Sequence, residues 1–269
     1  MLNCKIIQFG KIKMHPKPAI TSSQNMLVKR LVKLRTDRAY RAQEQTFILE
    51  GVKPISEVQR YIVKLFYTEK YADVLKDFQG EAWEVTPEVL QKMSGMKNPE
   101  GLIAEVKIPN MNVSEIKGKN VLVFDGISDP GNMGTLLRTA LAFGWDSVFL
   151  LSGCCDPFNE KTIRAARGAH FKITLVQGSI KNLQEWVTKH NAQSLAADTQ
   201  GVDPEKVESS DYRVLVLGNE AQGISKEIEN MCTKVSLPMC GDMESLNVAV
   251  AGGILLYLLS NRKKTLNQL

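Results

Sequence analysis

Val121-Leu-Val-Phe-Asp-Gly-Ile-Ser-Asp-Pro-Gly-Asn-Met-Gly134 is the stretch that decides the fold of this chain. It joins a short apolar run to a turn rich in Gly, Asp and Asn, and a helix-like pattern follows. The same order returns at Val214-Leu-Val-Leu-Gly-Asn-Glu-Ala-Gln-Gly223. Alternation of this kind predicts an α/β domain on a mostly parallel sheet, which binds ligands where its strands end.

Hydrophobic periodicity extends this pattern from Asn120 to the end of the chain. Strands are predicted at 121–124, 147–151, 171–176, 194–197, 213–217 and 234–237. Helices are predicted at 132–143, 159–167, 180–190, 222–231 and 244–261. The apolar stretch Leu246–Leu259 is shorter than the roughly 20 residues of a membrane span, so it predicts a buried helix and no membrane partner.

A second, smaller α/β domain is predicted for residues 21–107, after a basic tail at 1–20. Its predicted helices are Asn25–Tyr40, Pro54–Tyr61 and Pro87–Met93, and its predicted strands are Phe47–Gly51, Val63–Tyr67 and Leu102–Val106. Pro109 and Gly118 punctuate a linker at 108–119, which leaves residues 120–269 for the larger domain.

Composition excludes several classes of protein. Five cysteines without C-x-x-C spacing and three histidines argue against a disulfide framework and against a metal site. The chain shows no secretory segment, so we expect a cytoplasmic protein. Its first 36 residues contain no acid, which leaves an organelle as the alternative. The net charge of +5 favours a polyanionic partner.

Three polar loops are the candidate walls of one site. Asn132 and Arg138 follow the first strand and Glu220 follows the second, although an N-cap, a solvated arginine and an acidic first helical turn would explain them too. A third segment places Asn247 at the start of an apolar helix, where an unpaired amide would cost about 1–3 kcal/mol. Gly252-Gly253 in that helix predicts close packing against another element, such as a second subunit.

Nucleotide motifs of the common kinds are missing from the sequence. No G-x-G-x-x-G follows a predicted strand, and there is no G-x-x-x-x-G-K-[ST]. A nicotinamide-dependent dehydrogenase and a P-loop NTPase are therefore disfavoured despite the α/β pattern.

In these loops the chain resembles the SpoU (TrmH-like) RNA ribose 2′-O-methyltransferases of the SPOUT superfamily. The matching segments are Asp129-Pro-x-Asn132-x-Gly134-x-x-x-Arg138-x-Ala140, Gly218-Asn-Glu220-x-x-Gly223 and Leu237-Pro-Met-x-Gly241-x-x-x-Ser245-Leu-Asn247. Thr21-Ser-x-x-Asn25 and Phe47-x-x-Glu50-Gly51 are similar to that family's substrate-binding domain. The likeness covers nearly the whole chain after residue 20.

The resemblance implies a trefoil-knotted C-terminal domain, a small L30e-like N-terminal RNA-binding domain, S-adenosylmethionine as cofactor and a homodimer. It implies a cofactor site at Gly218, Leu237, Met239 and Leu246. It implies a catalytic face of Asn132, Arg138, Glu220, Ser245 and Asn247. The pKa of an arginine side chain exceeds about 12, so the side chain keeps its proton. We therefore expect Arg138 to stabilise the alkoxide and to bind a phosphate; a role as general base stays open.

Basic residues concentrate in the N-terminal domain, where we expect them to bind RNA. They are Lys29, Arg30, Lys33, Arg35, Arg38 and Arg41, with Asp37 the one acid among them. A solvated helix face is the alternative, but this density favours phosphate contacts and shape recognition of a folded RNA.

The sequence thus favours a methyltransferase acting on ribosomal RNA. A transfer-RNA methyltransferase and a non-catalytic RNA-binding or ribosome-assembly factor are the alternatives.

Overall fold

The computed structural model describes residues 17–73, 75, 78, 80–240 and 244–260. They form two compact units. Unit 1 runs to Ile108 and also includes Phe158–Glu160, and unit 2 contains Pro109–Pro157 and the residues from Lys161 onward. Most of the predicted tail lies outside the described residues, but Ile20 is buried and forms a bridge to Val85, so unit 1 is already folded there.

Unit 1 is a four-stranded sheet with short helices. Its helices are α1 (Met26–Thr36), α2 (Arg38–Glu44), α3 (Val52–Glu57) and α4 (Pro87–Ser94), and its strands are β1 (Thr46–Glu50), β2 (Ile62–Tyr67), β3 (Glu81–Glu84) and β4 (Leu102–Lys107). The strand order is β1-β4-β2-β3, and β4 is antiparallel to both of its neighbours. Apolar side chains of α1 and α4 cover one face of this sheet.

In unit 1 two predicted helices were wrong in their bounds, and one strand was missed. The helix predicted over Asn25–Tyr40 is two helices, because Asp37 is extended and its carboxylate accepts a hydrogen bond from the backbone N–H of Tyr40. Aspartate is a preferred N-cap, so it ends one helix and starts the next. The predicted helix Pro54–Tyr61 is α3, which ends at Glu57, and strand β3 was not predicted.

Unit 2 is a six-stranded, wholly parallel sheet in the order β10-β8-β9-β5-β6-β7. Its strands are β5 (Asn120–Asp125), β6 (Ser147–Leu150), β7 (Thr174–Gln177), β8 (Gln193–Val202), β9 (Arg213–Gly218) and β10 (Thr233–Val235). Its helices are α5 (Pro130–Ala142), α6 (Glu160–Ala166), α7 (Ile180–His190), α8 (Lys226–Glu229) and α9 (Val248–Leu258). The central strands β5 and β9 are buried throughout, as their continuous apolar runs predict.

Strand register fixes where the polar loops meet. Asp125, at the end of β5, pairs with Gly218, at the end of β9, so the loops that follow these strands start side by side. Strand β8 lies on the other side of β9 and pairs with it through Ala196.

Several bounds in unit 2 differ from the predictions. The helix predicted at 222–231 shrinks to α8, because the chain before it folds into a tight turn closed by Asn219 and Gly223. The helix predicted at 244–261 is α9, which Asn247 caps. The strand predicted at 171–176 is β7, which begins only at Thr174.

Helix α9 is apolar but only partly buried, which corrects the prediction of a buried helix. Its side chains Val250, Ile254 and Tyr257 are 52%, 40% and 57% exposed. A Cβ on Gly252 would lie 2.6 Å from the side chains of Leu136 and Leu217, so this glycine permits close packing on α5 and β9 of the same chain.

Candidate active site

Glu220 is the centre of a hydrogen-bonded network that joins the first two loops. One carboxylate oxygen accepts hydrogen bonds from the backbone N–H and the hydroxyl of Ser128, at 3.0 and 2.7 Å. The other accepts from the backbone N–H of Asp129 at 3.1 Å and from the side-chain amide of Asn132 at 3.0 Å. The carboxylate therefore closes the loop after β5 against the loop after β9.

Asn132 extends the network to the third loop. The N-cap of α5 is Asp129, whose carboxylate accepts from the Asn132 backbone N–H at 2.8 Å, so Asn132 is not the cap. Its side-chain oxygen accepts a hydrogen bond from the amide of Asn247 at 3.1 Å. One residue from each loop thus belongs to a single chain of hydrogen bonds, Glu220–Asn132–Asn247.

Asn247 makes side-chain hydrogen bonds in two directions. Its side-chain oxygen accepts from the backbone N–H groups of Ala249 and Val250, at 2.9 and 3.3 Å, and so caps α9. Its amide N–H remains directed to Asn132. The cap fixes the orientation of the side chain that reaches into the network.

The turn after β9 is closed by backbone hydrogen bonds and depends on glycine. Backbone hydrogen bonds of 2.8 and 2.9 Å join Asn219 and Gly223 in both directions. A Cβ on Gly218 would lie 2.4 Å from the backbone of Gly223, which no side chain tolerates. The side-chain amide of Asn219 donates to the carbonyl of Gly126 at 2.7 Å, and the Asp125 carboxylate accepts from the Ser225 N–H at 2.7 Å.

The pKa of Glu220 is lowered to about 2. Burial is the largest single influence and acts to raise it, but the hydrogen bonds from Asn132 and Ser128 together outweigh burial. Glu220 is therefore an anion that accepts hydrogen bonds at neutral pH, and it has no proton to donate.

A cleft of about 440 Å³ opens beside this network. Its lining includes the four residues predicted to bind a cofactor, Gly218, Leu237, Met239 and Leu246. It also includes three of the predicted catalytic residues, Glu220, Ser245 and Asn247. Apolar walls come from Val248, Ala251 and Leu255 of α9.

Sequence reasoning missed one wall of the cleft. Ala197, Asp198 and Thr199 line it from β8, and Asn219 and Ile224 line it from the turn after β9. Asn219 was quoted in the second motif without a role, and the other four carried no local signal.

Arg138 lies outside the cleft lining of its own chain. It is exposed on α5, and among the described residues it makes no hydrogen bond or ion pair. The structure brings Asn132, Glu220 and Asn247 together, with Ser245 on the same cleft, but it leaves Arg138 apart from them.

The six basic residues of unit 1 fall into two groups. Arg41 is buried and donates to the carbonyls of Leu34 and Arg35, and Arg30 donates to the carboxylates of Glu44 and Glu105. Of the other four, Lys29, Lys33 and Arg38 are exposed, whereas Arg35 is only partly exposed and forms an ion pair of 3.8 Å with Glu160. Arg30 and Arg41 thus have internal structural partners that the sequence pattern did not predict.

The described part of the chain has neither a membrane-spanning helix nor a metal-binding cluster. None of its helices is long and apolar enough to cross a membrane. None of its clusters of His, Cys, Asp and Glu has three or more members placed to hold a metal ion.

Comparison with known proteins matches both units. Residues 119–257 match the model of the SpoU rRNA Methylase family, and residues 25–104 match the MRM3-like substrate binding domain. A 23S rRNA (guanosine(2553)-2′-O)-methyltransferase, RlmP of Bacillus subtilis, is 31% identical over 88% of this chain and 97% of its own length. The mitochondrial rRNA methyltransferase 3A of Danio rerio is 27% identical over 85% of this chain and 66% of its own.

Solved structures agree with the sequence matches. An AdoMet-bound rRNA methyltransferase from Sinorhizobium meliloti superposes with a TM-score of 0.84 at 27% identity, over 92% of this chain and 98% of that one. This similarity confirms the predicted α/β class with a parallel-sheet SPOUT domain and a separate N-terminal domain; the trefoil knot stays a prediction. On these matches, the chain belongs to the SpoU rRNA methylase family.

Proposed function

We propose that this protein is an S-adenosylmethionine-dependent RNA methyltransferase that transfers a methyl group to a ribose 2′-hydroxyl of ribosomal RNA. The observation that carries the proposal is the Glu220–Asn132–Asn247 network beside a cleft of about 440 Å³. Relatives named as ribosomal RNA 2′-O-methyltransferases, which match nearly the whole chain, support the same activity.

The cleft has the size and chemistry to hold the methyl donor. Small-molecule sites occupy roughly 300–1,000 Å³ and combine apolar walls with a few polar groups. Leu237, Leu246 and Leu255 offer apolar surface, and the bare backbone at Gly218 allows a ligand to approach closely. In its bound state the donor would supply an electrophilic methyl group on a positively charged sulfur.

The residues of the network would position the acceptor. Transfer in line from sulfur to oxygen needs a hydroxyl held in one orientation, and fixed geometry alone contributes several kcal/mol to such a reaction. Asn132 is held on both sides, by Glu220 and by Asn247, so its amide is already oriented for a ribose or for Arg138. Ser245 lies on the same cleft and would help to orient the ribose.

Arg138 would stabilise the alkoxide that forms as the hydroxyl loses its proton, and it would hold the neighbouring phosphate. A guanidinium binds both anions well, since it keeps its charge and presents several donors in one plane. Because Arg138 is absent from the cleft lining of its own chain, we infer that it completes the cleft of a second subunit.

The surface around Arg138 supports a homodimer. Val250, Ile254 and Tyr257 project from α9 at a spacing of four and three residues, which places these exposed apolar side chains on one face. Phe143, which directly follows α5, packs against the ring of Tyr257 with centroids 5.4 Å apart, so this face continues to the end of the helix that carries Arg138. A second copy of the chain would bury this surface and bring Arg138 to the partner's cleft.

Unit 1 would recognise the RNA through the exposed members of its basic group, Lys29, Lys33 and Arg38. Relatives are bacterial and mitochondrial, so we place the reaction in a compartment that contains ribosomes, the cytoplasm or an organelle.

The decisive experiment incubates the protein with labelled S-adenosylmethionine and unmodified ribosomal RNA, with transfer RNA in a parallel reaction. We expect label on a ribose 2′-oxygen of the ribosomal RNA, identified by nucleoside mass spectrometry. Label on transfer RNA alone would show that transfer RNA is the substrate. Cofactor binding without any labelled ribose would show that the protein is a non-catalytic RNA-binding protein.

Arg138→Ala tests the assignment of the arginine. Removal of one group that stabilises developing charge typically lowers the rate by 10²–10³, so we expect a loss of about that size. Arg138 is exposed, so the variant should fold, dimerise and bind the donor as the wild type does. Retention of more than about a tenth of the wild-type rate would contradict this role.

Ile254→Glu tests the dimer. A charge in the centre of the apolar stripe should give a monomer by light scattering and abolish methyl transfer while the unit stays folded. Lys226→Glu, on an exposed part of α8, is the matched control and should leave the dimer intact. A wild-type protein that is monomeric and active would overturn the shared site.

A further inference from the structure

Strand β8 departs from regular pairing where it reaches the cleft. Its partner β10 pairs Lys234 with Ala196 and the next residue, Val235, with Val202. Residues 197–201 are therefore looped out of the ladder. A bulge redirects side chains, and bulges are frequent beside functional sites. Here it carries Ala197, Asp198 and Thr199 into the cleft lining.

Contacts with β10 hold the bulge in place. A Cβ on Gly201 would lie 2.6 Å from the backbone of Lys234, so the bulge packs directly on that strand. The ammonium of Lys234 lies 3.1 Å from one oxygen of Asp198, and it also forms an ion pair with Glu229. The backbone N–H of Gln200 donates to the other oxygen of Asp198 at 3.0 Å.

Asp198 is a negative charge at neutral pH. Burial, the largest influence, acts to raise its pKa, but hydrogen bonds from Gln200 and Lys234 outweigh it and lower the pKa. The side chain is 24% exposed, so its field reaches the cleft through little solvent. Lys234 cancels part of this charge, but Glu229 shares that lysine, and the three groups together keep one negative charge.

The other charged side chain of the described cleft lining is also an anion. Glu220 is saturated by Ser128, Asp129 and Asn132, whereas Asp198 belongs to no part of that network. The described lining thus contains two separate negative charges, and Asp198 is the one that the transfer reaction does not otherwise use.

We propose that Asp198 is a specificity-determining residue that makes the cleft bind the sulfonium methyl donor more tightly than its thioether product, with Lys234 limiting the difference. The inference rests on the proposed function. In the transfer the carbon–sulfur bond breaks, a carbon–oxygen bond forms and the hydroxyl proton passes to solvent water. Sulfur keeps the bonding electron pair, so S-adenosylhomocysteine carries one positive charge fewer than S-adenosylmethionine. A negative cleft loses part of its attraction for the ligand when the methyl group leaves, which speeds exchange of product for donor.

Calorimetric titration of each purified variant with S-adenosylmethionine and with S-adenosylhomocysteine tests this proposal without reference to activity. The measured quantity is the ratio of the two dissociation constants, product over donor. We expect Asp198→Asn to lower this ratio about fivefold, as removal of one partly screened charge predicts. Lys234→Met should raise it by a similar factor, and the double variant should return it close to the wild-type value.

Asp211→Asn is the matched control. Asp211 is also an aspartate paired with a lysine, Lys119, but it precedes the amino end of β9, whereas the cleft lies at the carboxyl end. This change should leave the ratio as it is in the wild type.

The outcomes separate the two claims. Should Asp198→Asn weaken both ligands by the same factor, or should Lys234→Met leave the ratio unchanged, the role of Asp198 in discrimination is wrong. A wild-type protein that binds neither ligand would instead overturn the proposed function. If Asp198→Asn fails to fold, the opposite shift expected for Lys234→Met still decides the matter.

Discussion

Each unit of this protein contains a network built on a glutamate, and the two networks differ in their surroundings. In unit 1 Glu105 is fully buried and accepts hydrogen bonds from Arg30 at 2.7 Å and Thr46 at 3.0 Å, with Lys64 at 3.5 Å. In unit 2 Glu220 is exposed at the edge of a cleft and accepts from loop residues.

The difference separates a group that holds the fold from one that is available to a substrate. Arg30 of α1 reaches Glu105 on β4, so the buried network fastens a helix to the sheet of unit 1. Glu220 instead fastens loops to each other, and the Asn132 side chain that it orients lies at the surface of the site. Removal of a charged residue from the unit 1 network should therefore lower the stability of the fold, whereas removal from the unit 2 network should lower the rate of methyl transfer.

The largest effect is expected for Asn132→Ala. This change removes the link between Glu220 and Asn247, and we expect the rate of methyl transfer to fall by about 10²–10³. The free energy of unfolding should change by less than about 1 kcal/mol, because the site is exposed. Initial rates and urea unfolding of the same preparation check both parts. A large loss of stability would make this network structural, like the one in unit 1.

Arg30→Ala should have the reverse profile. Loss of one partner from a buried ion pair leaves Glu105 with a poorly compensated charge, and we expect unit 1 to lose about 3 kcal/mol of unfolding free energy. The affinity for the methyl donor should not change. Lys29→Ala, the exposed neighbour, is the control and should cost less than about 0.5 kcal/mol. An Arg30→Ala protein with wild-type stability and weakened RNA binding would show instead that this arginine binds RNA.

A smaller effect is expected for the exposed part of the basic group. The double change Lys29→Ala and Lys33→Ala should weaken RNA binding several-fold and reduce the slope of log affinity against log salt by about 1–2. Filter binding at salt concentrations between roughly 50 and 300 mM measures both quantities. Lys181→Ala, on an exposed position of unit 2, should leave them unchanged.

The smallest expected effect is the pH dependence that Glu220 confers. Its pKa is about 2 in the folded protein and about 4.3 in an unfolded chain, so its ionisation stabilises the fold above the unfolded value. That contribution is lost as the pH falls from about 4.3 toward 2. The difference in Tm between wild type and Glu220→Gln should therefore shrink over this range, by no more than about 2 °C. A difference that stays constant from pH 6 to pH 3 would show that Glu220 is not stabilised in its charged form.

Much of unit 2 could be predicted because its signals are local. Buried parallel strands are continuous apolar runs, and the polar residues that end them follow directly in the chain. The three loops could be assigned to one site because parallel strands end at one edge of a sheet. Gly218 and Leu237 line the cleft as the resemblance implied, and their roles as cofactor contacts stay a prediction.

The features that could not be predicted from the sequence depend on contacts between residues distant in the chain. Arg30 and Arg41 looked like neighbouring members of one basic face, but Arg30 on α1 pairs with Glu105 on strand β4 of unit 1. Asp198 enters the cleft because of a shift in the register between β8 and β10, which periodicity within one strand does not reveal. The exposed stripe on α9 was missed for a similar reason, since an apolar helix has the same composition whether its own chain or a partner covers it.

The most direct test of the contrast between the two networks is the initial rate of ribose 2′-O-methylation by Glu220→Gln, measured with its affinity for S-adenosylmethionine. Glutamine keeps the shape of the side chain but replaces one of the two acceptor oxygens with a donor, so it cannot hold both Ser128 and Asn132. We predict a rate at least about 100-fold below that of the wild type, with a donor affinity within about threefold. A wild-type rate from this variant would contradict the account.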